Sequence, residues 1–551
     1  MTRRRLVLLL PAAANAALAL AAWTRQPWAN GPAEWRWQYL PEGGPDLGAP
    51  GGFALPAVLA ALAALAALAG LGILREHGRL AAWRGAPLLA AAGGAAFTFA
   101  LVAVQPGGFA RVTAALVSRN SFGYVWDAAL APPTRELLAD YPAASAGLNQ
   151  HSVTHPPGPL LAVRALGWLD RVLPAPGAAG APAAPGSAGA AGAAKGGGGL
   201  PGLAAAAIDR EVARARSHGR PVPRPPPGPW AVAALAVLLP ALSALAAWPL
   251  YLLARRWGLA PETALLAALL WLLAPARSLF TPSFDQALPV LLVGAACLAA
   301  GGGRARALAA GALLFAACFV SYGCLPALPL VAVATPRPAG SAATGDRRSR
   351  RLWQRWGMLA LGFALPYLAL AVAAGHDPWH AMRSAFELHQ RIAVAPRSYV
   401  TWLLWNPYDF ALLASPAVVG LAALALLRTS WTDGDAGSAA GPDSGTGRVS
   451  ILDVLRDGRP AAPLHAGRWA AWTWWGLLAV LLLSGGVRGE AGRIWLPWMP
   501  FACLFAAAAA AAATADGSPR RGWRAGAGWL LATEAALTLA LAARMIFVSP
   551  N

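Results

Sequence analysis

Apolar runs of roughly 17–25 residues recur along this chain, and that length crosses the hydrocarbon core of a bilayer. Thirteen apolar runs, of about that length or somewhat shorter, lie near 6–23, 53–74, 87–104, 229–254, 261–276, 286–302, 305–321, 323–336, 356–374, 408–428, 469–486, 495–515 and 525–545. In lipid, only helices and closed barrels satisfy all their backbone hydrogen bonds. The sequence therefore predicts an all-α polytopic membrane protein with about thirteen transmembrane helices.

Composition excludes several other classes of protein. Of the 551 residues, 57% are hydrophobic and only 12% are charged, and the mean hydropathy is +0.49. A soluble domain carries about 25% charged residues, and a disordered chain is much less apolar. Four cysteines are too few for a secreted disulfide scaffold. The net charge of +20 falls mostly in short loops, where arginines orient spans and contact lipid headgroups rather than nucleic acid.

The positions of the arginines predict a topology. We expect the chain in the inner (plasma) membrane of the cell. Arg3–Arg5 predict a cytoplasmic N-terminus, and the first helix is expected to remain uncleaved. The weaker run 158–173 is interrupted by Arg164 and Asp170, so we expect an interfacial helix there rather than a span. This choice keeps the later arginine-rich loops cytoplasmic and leaves 105–228 as one long external segment.

The predicted organisation has five parts. These are three N-terminal transmembrane helices (1–104), the external loop (105–228) with a low-complexity insert at 174–202, a central transmembrane core (229–428), a flexible cytoplasmic loop (429–468) and C-terminal transmembrane helices (469–551). The insert is rich in Ala, Gly and Pro, a composition typical of linkers.

Polar residues collect on the predicted external face. Asp285 lies at the mouth of a span, and Glu490 and Arg493 lie between two spans, where charges are costly and usually functional. In the segment His155-Pro-Pro-Gly158 the prolines restrict the backbone and hold His155 at the start of the next helix. His151 and His155 are four residues apart, but the prolines break the helix that a zinc site of this spacing uses, so no metal site is predicted.

Several motifs together resemble a known family. His155-Pro-Pro-Gly158 after an acid-bearing loop resembles the His-Pro-Pro element of polyprenyl-phosphate-sugar-dependent transferases of the GT-C fold, which are family 39-like and include protein O-mannosyltransferases and aminoarabinose transferases. The resemblance extends to five further segments, and some of these look like uncharacterised actinobacterial-type members. The segments are Gly123–Asp127, Pro133–Tyr141, Pro282–Asp285, Ser321–Gly323 and Gly489–Pro497.

The resemblance implies a GT-C-like fold with a long first catalytic external loop and a transfer reaction at the outer membrane surface. It implies a polyprenyl-phosphate-linked sugar as donor and co-substrate, a lipid, glycan or protein acceptor, and no cofactor, with a divalent metal left open. The catalytic base would be Asp127, with Asp140 and Asp285 as further candidates. The remaining substrate-binding candidates are Arg119, Tyr124, His151, His155, Tyr322, Arg397, Glu490, Arg493 and Trp495.

Asp127 is the first acid in this loop, because Ser118–Tyr124, where the family usually has one, contains none. If Tyr124, Trp126 and Leu130 face the membrane, the carboxylate of Asp127 lies at the boundary between water and lipid. Two alternatives stay open: a secondary transporter, and a catalytically inactive relative of the transferases. A transporter would place charges near mid-span and break helices there.

Overall fold

The computed structural model describes residues 3–32, 36–39, 85–105, 107–174, 199–335, 345–426, 464–514 and 520–547. The predicted second span at 53–74, most of the insert 174–202 and most of the loop 429–468 lie outside these residues. The described part is all-α apart from one two-residue ladder, in which Gln38 (strand β1, Gln38–Tyr39) pairs antiparallel with Ile546 (strand β2, Met545–Ile546).

The helices are numbered here in chain order. They are α1 (Arg3–Trp23), α2 (Ala86–Val104), α3 (Gly108–Val117), α4 (Tyr124–Leu130), α5 (Thr134–Ala139), α6 (Tyr141–Ser145), α7 (Gln150–Val153), α8 (Gly158–Leu166), α9 (Leu169–Val172), α10 (Gly199–Ser217), α11 (Pro229–Leu245), α12 (Ala247–Arg256), α13 (Pro261–Leu273), α14 (Pro275–Leu279), α15 (Leu288–Ala300), α16 (Arg304–Val320), α17 (Leu328–Val333), α18 (Gly345–Ala374), α19 (Pro378–His389), α20 (Tyr399–Ala414), α21 (Pro416–Leu426), α22 (Leu464–Leu483), α23 (Ala491–Ile494), α24 (Met499–Thr514) and α25 (Arg520–Arg544). Short 3-10 turns cover Pro27–Asn30, Phe284–Ala287, Tyr322–Ala327 and Leu496–Trp498, and a π turn covers Gln390–Val394.

Within the described residues, five helical stretches are long and apolar enough to cross a membrane, or six if the bent pair α20–α21 is one span. The five are Ala86–Ala103, Pro229–Arg256, Ser349–Ala374, Leu496–Ala513 and Gly526–Arg544. This finding supports a membrane protein, but it does not confirm the count of thirteen spans.

Several of the expected spans are short helices. The runs 261–276 and 286–302 become α13 and α15, which have 13 residues each. At 1.5 Å per residue, such a helix is about 20 Å long, whereas the hydrocarbon core is about 30 Å thick. Apolar runs therefore overstated helix length here, because they include turn residues such as Ala274 and Gly301 at which the helices end.

Small residues set the close packing between helices. A Cβ on Gly311 of α16 would collide with the carbonyl oxygen of Leu359, and one on Gly362 of α18 would collide with that of Leu308. Only glycine allows two backbones to approach this closely, which is how membrane helices commonly pack. Gly158 plays the same role for the start of α8, since a Cβ there would collide with the carbonyl oxygen of Phe319 at the end of α16.

The run 158–173 forms the two short helices α8 and α9 instead of one interfacial helix. Neither is long enough to span. The charges that interrupt the run have structural partners: Arg164 donates to the carbonyl oxygens of Ala128 and Ala131 at the end of α4, at 3.0 and 2.5 Å. Asp170 accepts from the backbone N–H of Trp230, at 2.7 Å, and so caps α11.

The run 408–428 is not one straight helix. It belongs to α20 and α21, which meet at an angle of 107°. Ser415 at the break has a left-handed φ of 81°, and Pro416 follows it. Proline removes a backbone donor and disfavours helical geometry in the residue before it, so the break is a local consequence of this dipeptide.

Candidate functional site

A carboxylate–arginine site lies where the turn before α15 meets the turn before α23. We use this name for Asp285, Glu490 and Arg493. Nη2 of Arg493 lies 2.7 Å from Oε2 of Glu490, and Nε of Arg493 lies 3.7 Å from Oδ2 of Asp285. The exposed fractions of the three side chains are 27% for Arg493, 16% for Glu490 and 19% for Asp285. Three charged residues that lie at span boundaries in the sequence therefore meet in the structure, and the group is reachable from solvent.

The local sequence fixes Asp285 in place. Ser283 caps the 3-10 turn: its hydroxyl accepts from the backbone N–H of Asp285 at 3.1 Å and donates to Oδ2 of Asp285 at 2.8 Å. Burial raises the pKa of Asp285, while the charge of Arg493 and the Ser283 hydrogen bond lower it. Burial alone would lower the pKa of Arg493, but Glu490 and Asp285 raise it, so the guanidinium stays charged.

The loop that carries Glu490 and Arg493 is held by α20. Asn406 donates to the carbonyl oxygen of Val487 at 2.7 Å and accepts from the N–H of Gly489 at 3.2 Å. Asp409 accepts from the N–H of Gly492 at 2.8 Å. Glu490 itself has a φ of 57°. A non-glycine residue with this backbone conformation is strained, and such strain collects at functional sites.

Arg397 and Arg488 join the same loop to the segment before α20. Arg488 donates to the carbonyl oxygens of Val394 and Arg397, at 3.1 and 2.6 Å, and Arg397 donates to the carbonyl oxygen of Arg488. This reciprocal pair positions the loop. A direct role of Arg397 in binding phosphate stays a prediction.

Aromatic rings of the first loop and of Phe284 line one side of the site. The ring of Tyr124 lies 6.3 Å from that of His151, 6.1 Å from that of His155 and 5.3 Å from that of Phe284, measured between centroids. Phe284 is the neighbour of Asp285 in sequence and stacks on Phe122 at 5.2 Å. These contacts bring the first loop against the carboxylate–arginine site.

His151 and His155 are both neutral near pH 7. Burial lowers the pKa of His151, and the charge of Arg493 lowers it further. Burial, the neighbouring His151 and Arg493 lower the pKa of His155 to about 3. A neutral imidazole can accept or donate a hydrogen bond, so either ring is able to orient a substrate hydroxyl.

The structure places Asp127 differently from the sequence-based expectation. Its side chain is fully buried, and Trp126 and Tyr124 are buried with it instead of facing lipid. Oδ2 of Asp127 accepts from the hydroxyl of Ser152 at 2.6 Å and from the N–H of Asn149 at 2.8 Å. Burial raises the pKa of Asp127, and these hydrogen bonds lower it. The expected position at the boundary between water and lipid is therefore wrong, and the contacts favour a structural role in holding α7.

Four other predicted residues lie around or outside the site. Asp140 is exposed and caps α6 by accepting from the N–H of Ala143 at 3.2 Å. The carbonyl oxygen of Arg119 accepts from the side chain of Asn149. Tyr322 is buried, with its ring 6.0 Å from that of Phe386. The indole of Trp495 is buried, with its ring 5.7 Å from that of Phe410.

Sequence reasoning missed an aromatic cleft next to the site. It is lined by Trp37, Trp402, Trp405, Tyr408 and Asp409, together with Gly31 and Pro32, and its free volume of about 10 Å³ is enough for about one water molecule. Asp409 accepts from Nε1 of Trp37 at 2.7 Å and, through Gly492, connects the cleft to the turn that bears Arg493. The tryptophan spacing in Trp402-Leu-Leu-Trp405 was the signal available in the sequence.

In the described part of the chain, no group of three or more His, Cys, Asp or Glu side chains is arranged to hold a metal ion. Neither the scan against protein-family models nor the search of curated proteins found a match to this chain. The resemblance to lipid-phosphate-dependent transferases therefore depends on the motifs alone.

Proposed function

We propose that the chain is an integral membrane glycosyltransferase, GT-C-like in fold, that moves a sugar from a polyprenyl-phosphate donor to an acceptor hydroxyl. The observation that supports this most is the meeting of Asp285, Glu490 and Arg493 with the rings of the His-Pro-Pro segment. The group combines a carboxylate and a charged arginine at the start of apolar α15. A lipid phosphate joins a negative charge to an apolar chain, so it suits a charged arginine beside an apolar helix.

In the proposed reaction, Asp285 replaces Asp127 as the preferred base. The acceptor oxygen attacks the anomeric carbon, the bond from that carbon to the phosphate oxygen breaks, and the hydroxyl proton passes to Asp285. The polyprenyl phosphate leaves with the bonding electron pair, and Arg493 stabilises its charge. Burial raises the pKa of Asp285, which makes its carboxylate a stronger base than one in water.

Donor binding requires an exchange of partners at Arg493. Its guanidinium already contacts two carboxylates, so a phosphate has to displace Glu490 from Nη2. The left-handed backbone of Glu490 favours this exchange, because strain of about 1–3 kcal/mol is relieved if the residue relaxes. Glu490 thus holds the arginine in place until the donor arrives.

The test is turnover of radiolabelled polyprenyl-phosphate sugars in membranes that contain the protein, with a panel of donors. Asp285→Asn keeps the size and removes the base, so turnover should fall by about 10²-fold or more. Asp140→Asn is the matched control, since Asp140 is an exposed acid outside the site and asparagine caps a helix equally well. Wild-type turnover by Asp285→Asn would contradict the assignment of the base.

A secondary transporter is the second candidate, and a buried polar cluster inside the helices favours it. Nδ2 of Asn15 donates to Glu534 at 2.9 Å, and Oδ1 of Asn15 accepts from the hydroxyl of Ser415 at the broken helix, also at 2.9 Å. Ionisable groups at broken helices are typical of ion-coupled transporters. If so, proton-driven uptake into proteoliposomes should be lost in Glu534→Gln while Asp285→Asn retains it.

A further inference from the structure

Arginines from three separate parts of the chain converge around one glycine turn. We define the four-arginine cluster as Arg256, Arg304, Arg306 and Arg355. They come from the end of α12, the start of α16 and the N-terminal half of α18, and they surround the turn Gly301–Gly303. The sequence separates Arg256 and Arg355 by almost 100 residues, so their meeting is a property of the fold.

The geometry around the turn is tight. A Cβ on Gly301 would lie 3.1 Å from Cζ of Arg256 and 3.1 Å from Cδ of Arg306. A Cβ on Gly302 would lie 3.6 Å from Nη2 of Arg355. Arg304 is joined to α18 by a hydrogen bond of 2.8 Å to Gln354. The arginine side chains crowd Gly301, whereas Gly302 and Gly303 have positive φ values of 67° and 83°, a backbone conformation that favours glycine.

Three arginines of the cluster, Arg256, Arg304 and Arg306, carry positive charge without an acidic partner in the part of the chain that the structure describes. Arg256 donates a hydrogen bond to the carbonyl oxygen of Cys297, and Arg306 donates one to the carbonyl oxygen of Gly301 at 2.7 Å. The first-turn N–H groups of α16 add positive potential, since Gly303 provides no side-chain cap. Such an arrangement is suited to a phosphate group.

The surroundings indicate that this phosphate belongs to a lipid. Trp353 is 65% exposed and lies against Trp356, with ring centroids 5.2 Å apart. Exposed tryptophans are typical of the headgroup level of a membrane. Further along α18, a stripe of exposed apolar residues follows one face of the helix and provides a track for acyl chains. The stripe consists of Leu361, Leu365, Leu368 and Val372.

We propose that the four-arginine cluster binds the headgroup of an anionic phospholipid whose acyl chains lie along α18. This site is separate from the proposed donor site. Asp285 lies just before α15 and Gly301 just after it, so the two sites are apart by the length of a 13-residue helix, about 20 Å. The inference therefore does not depend on the proposed transferase activity.

The experiment measures lipid binding to the purified protein by native mass spectrometry and by thermal stabilisation in detergent. Phosphatidylglycerol is compared with phosphatidylcholine of the same acyl chains, and inorganic phosphate is a third arm. An arginine near an anionic headgroup contributes about fivefold in affinity, so Arg256→Gln/Arg306→Gln should weaken phosphatidylglycerol binding by about 25-fold. Arg383→Gln, an exposed arginine on α19, should bind as the wild type does.

Each outcome decides the proposal. Preferential binding of phosphatidylglycerol that the double variant loses supports it. Arg304→Gln is a second variant at an exposed position, which keeps the test valid if the double variant does not fold, and it should weaken binding by about fivefold. Equal binding of the two lipids by the wild type, unchanged binding by the variants, or equal stabilisation by inorganic phosphate would overturn it.

Discussion

Replacing Arg493 should reveal how much its interactions with Glu490 and Asp285 contribute to the stability of the protein. Arg493→Met removes a contact of 2.7 Å to Glu490 and one of 3.7 Å to Asp285, and it leaves two mostly buried carboxylates without their cation. A hydrogen bond between charged groups contributes about 1.5–3 kcal/mol. Because the guanidinium is 27% exposed and water screens part of the interaction, we expect a loss of about 2 kcal/mol in the free energy of unfolding.

A double-mutant cycle separates this coupling from general damage. Arg493→Met, Glu490→Gln and the double variant are unfolded by denaturant in detergent micelles, and the fluorescence of the 25 tryptophans reports the transition. The double variant should be more stable than the sum of the single effects predicts, by about 1 kcal/mol, since its second change removes a carboxylate that the first left unpaired. Glu490→Gln alone should also raise donor affinity, because it weakens the competitor of the phosphate.

The control for the cycle is a solvent-exposed ion pair whose charged atoms lie at a similar distance. Arg383 contacts Glu387 at 2.9 Å, but their side chains are 71% and 50% exposed, so Arg383→Met should cause no measurable change in stability. If the Arg493 and Glu490 effects add within about 0.3 kcal/mol, or if Arg383→Met destabilises equally, the site is not coupled as described.

Three further predictions concern the first loop. Asp127→Ala should lower the free energy of unfolding by about 2–4 kcal/mol, because two buried donors lose their acceptor, and Asp127→Asn should cost less; equal losses would contradict this. Gly158→Ala should lower the melting temperature by several degrees, because the new Cβ meets the backbone of Phe319. Overpacking of this kind costs about 1–3 kcal/mol. An unchanged melting temperature would refute the close approach. The folded-state pKa of His155 is below its ordinary value, so the wild type should lose stability as pH falls from about 6.5 towards 3, and His155→Gln should lose less over that window.

Helix positions followed well from the sequence, but helix lengths did not. Hydropathy alone counts a run such as 286–302 as a span, whereas the helix within it ends at Ala300 and begins only after the Asp285 turn. Arg164 and Asp170 were interpreted as interruptions of an interfacial helix. Their partners, the end of α4 and the start of α11, lie 33–61 residues away in sequence. Sequence patterns contain no information about such long-range hydrogen bonds.

Some residues of the candidate site could likewise be predicted from the sequence, and others could not. Asp285 and Arg493 were predictable because a charge at a span boundary is expensive unless it has a partner. The burial of Asp127 was not, because Ser152 and Asn149 satisfy it through a contact between two loop segments. The aromatic cleft was also missed, because its walls come from positions 37 and 402–409, which are brought together by the hydrogen bond from Trp37 to Asp409.

The two charged regions at opposite ends of α15 make the predicted orientation testable. Arginines accumulate on the cytoplasmic side of membrane proteins, so the four-arginine cluster should face the cytoplasm and the carboxylate–arginine site should face outward. All four native cysteines are buried, which makes introduced cysteines easy to distinguish. Ser217→Cys, in the predicted external segment, should react with an impermeant thiol reagent in intact cells, whereas Ala305→Cys, beside Arg304 and exposed, should react only after permeabilisation. The opposite pattern would invert the membrane orientation, and labelling of both from outside would show that the cluster and the site do not lie on opposite faces.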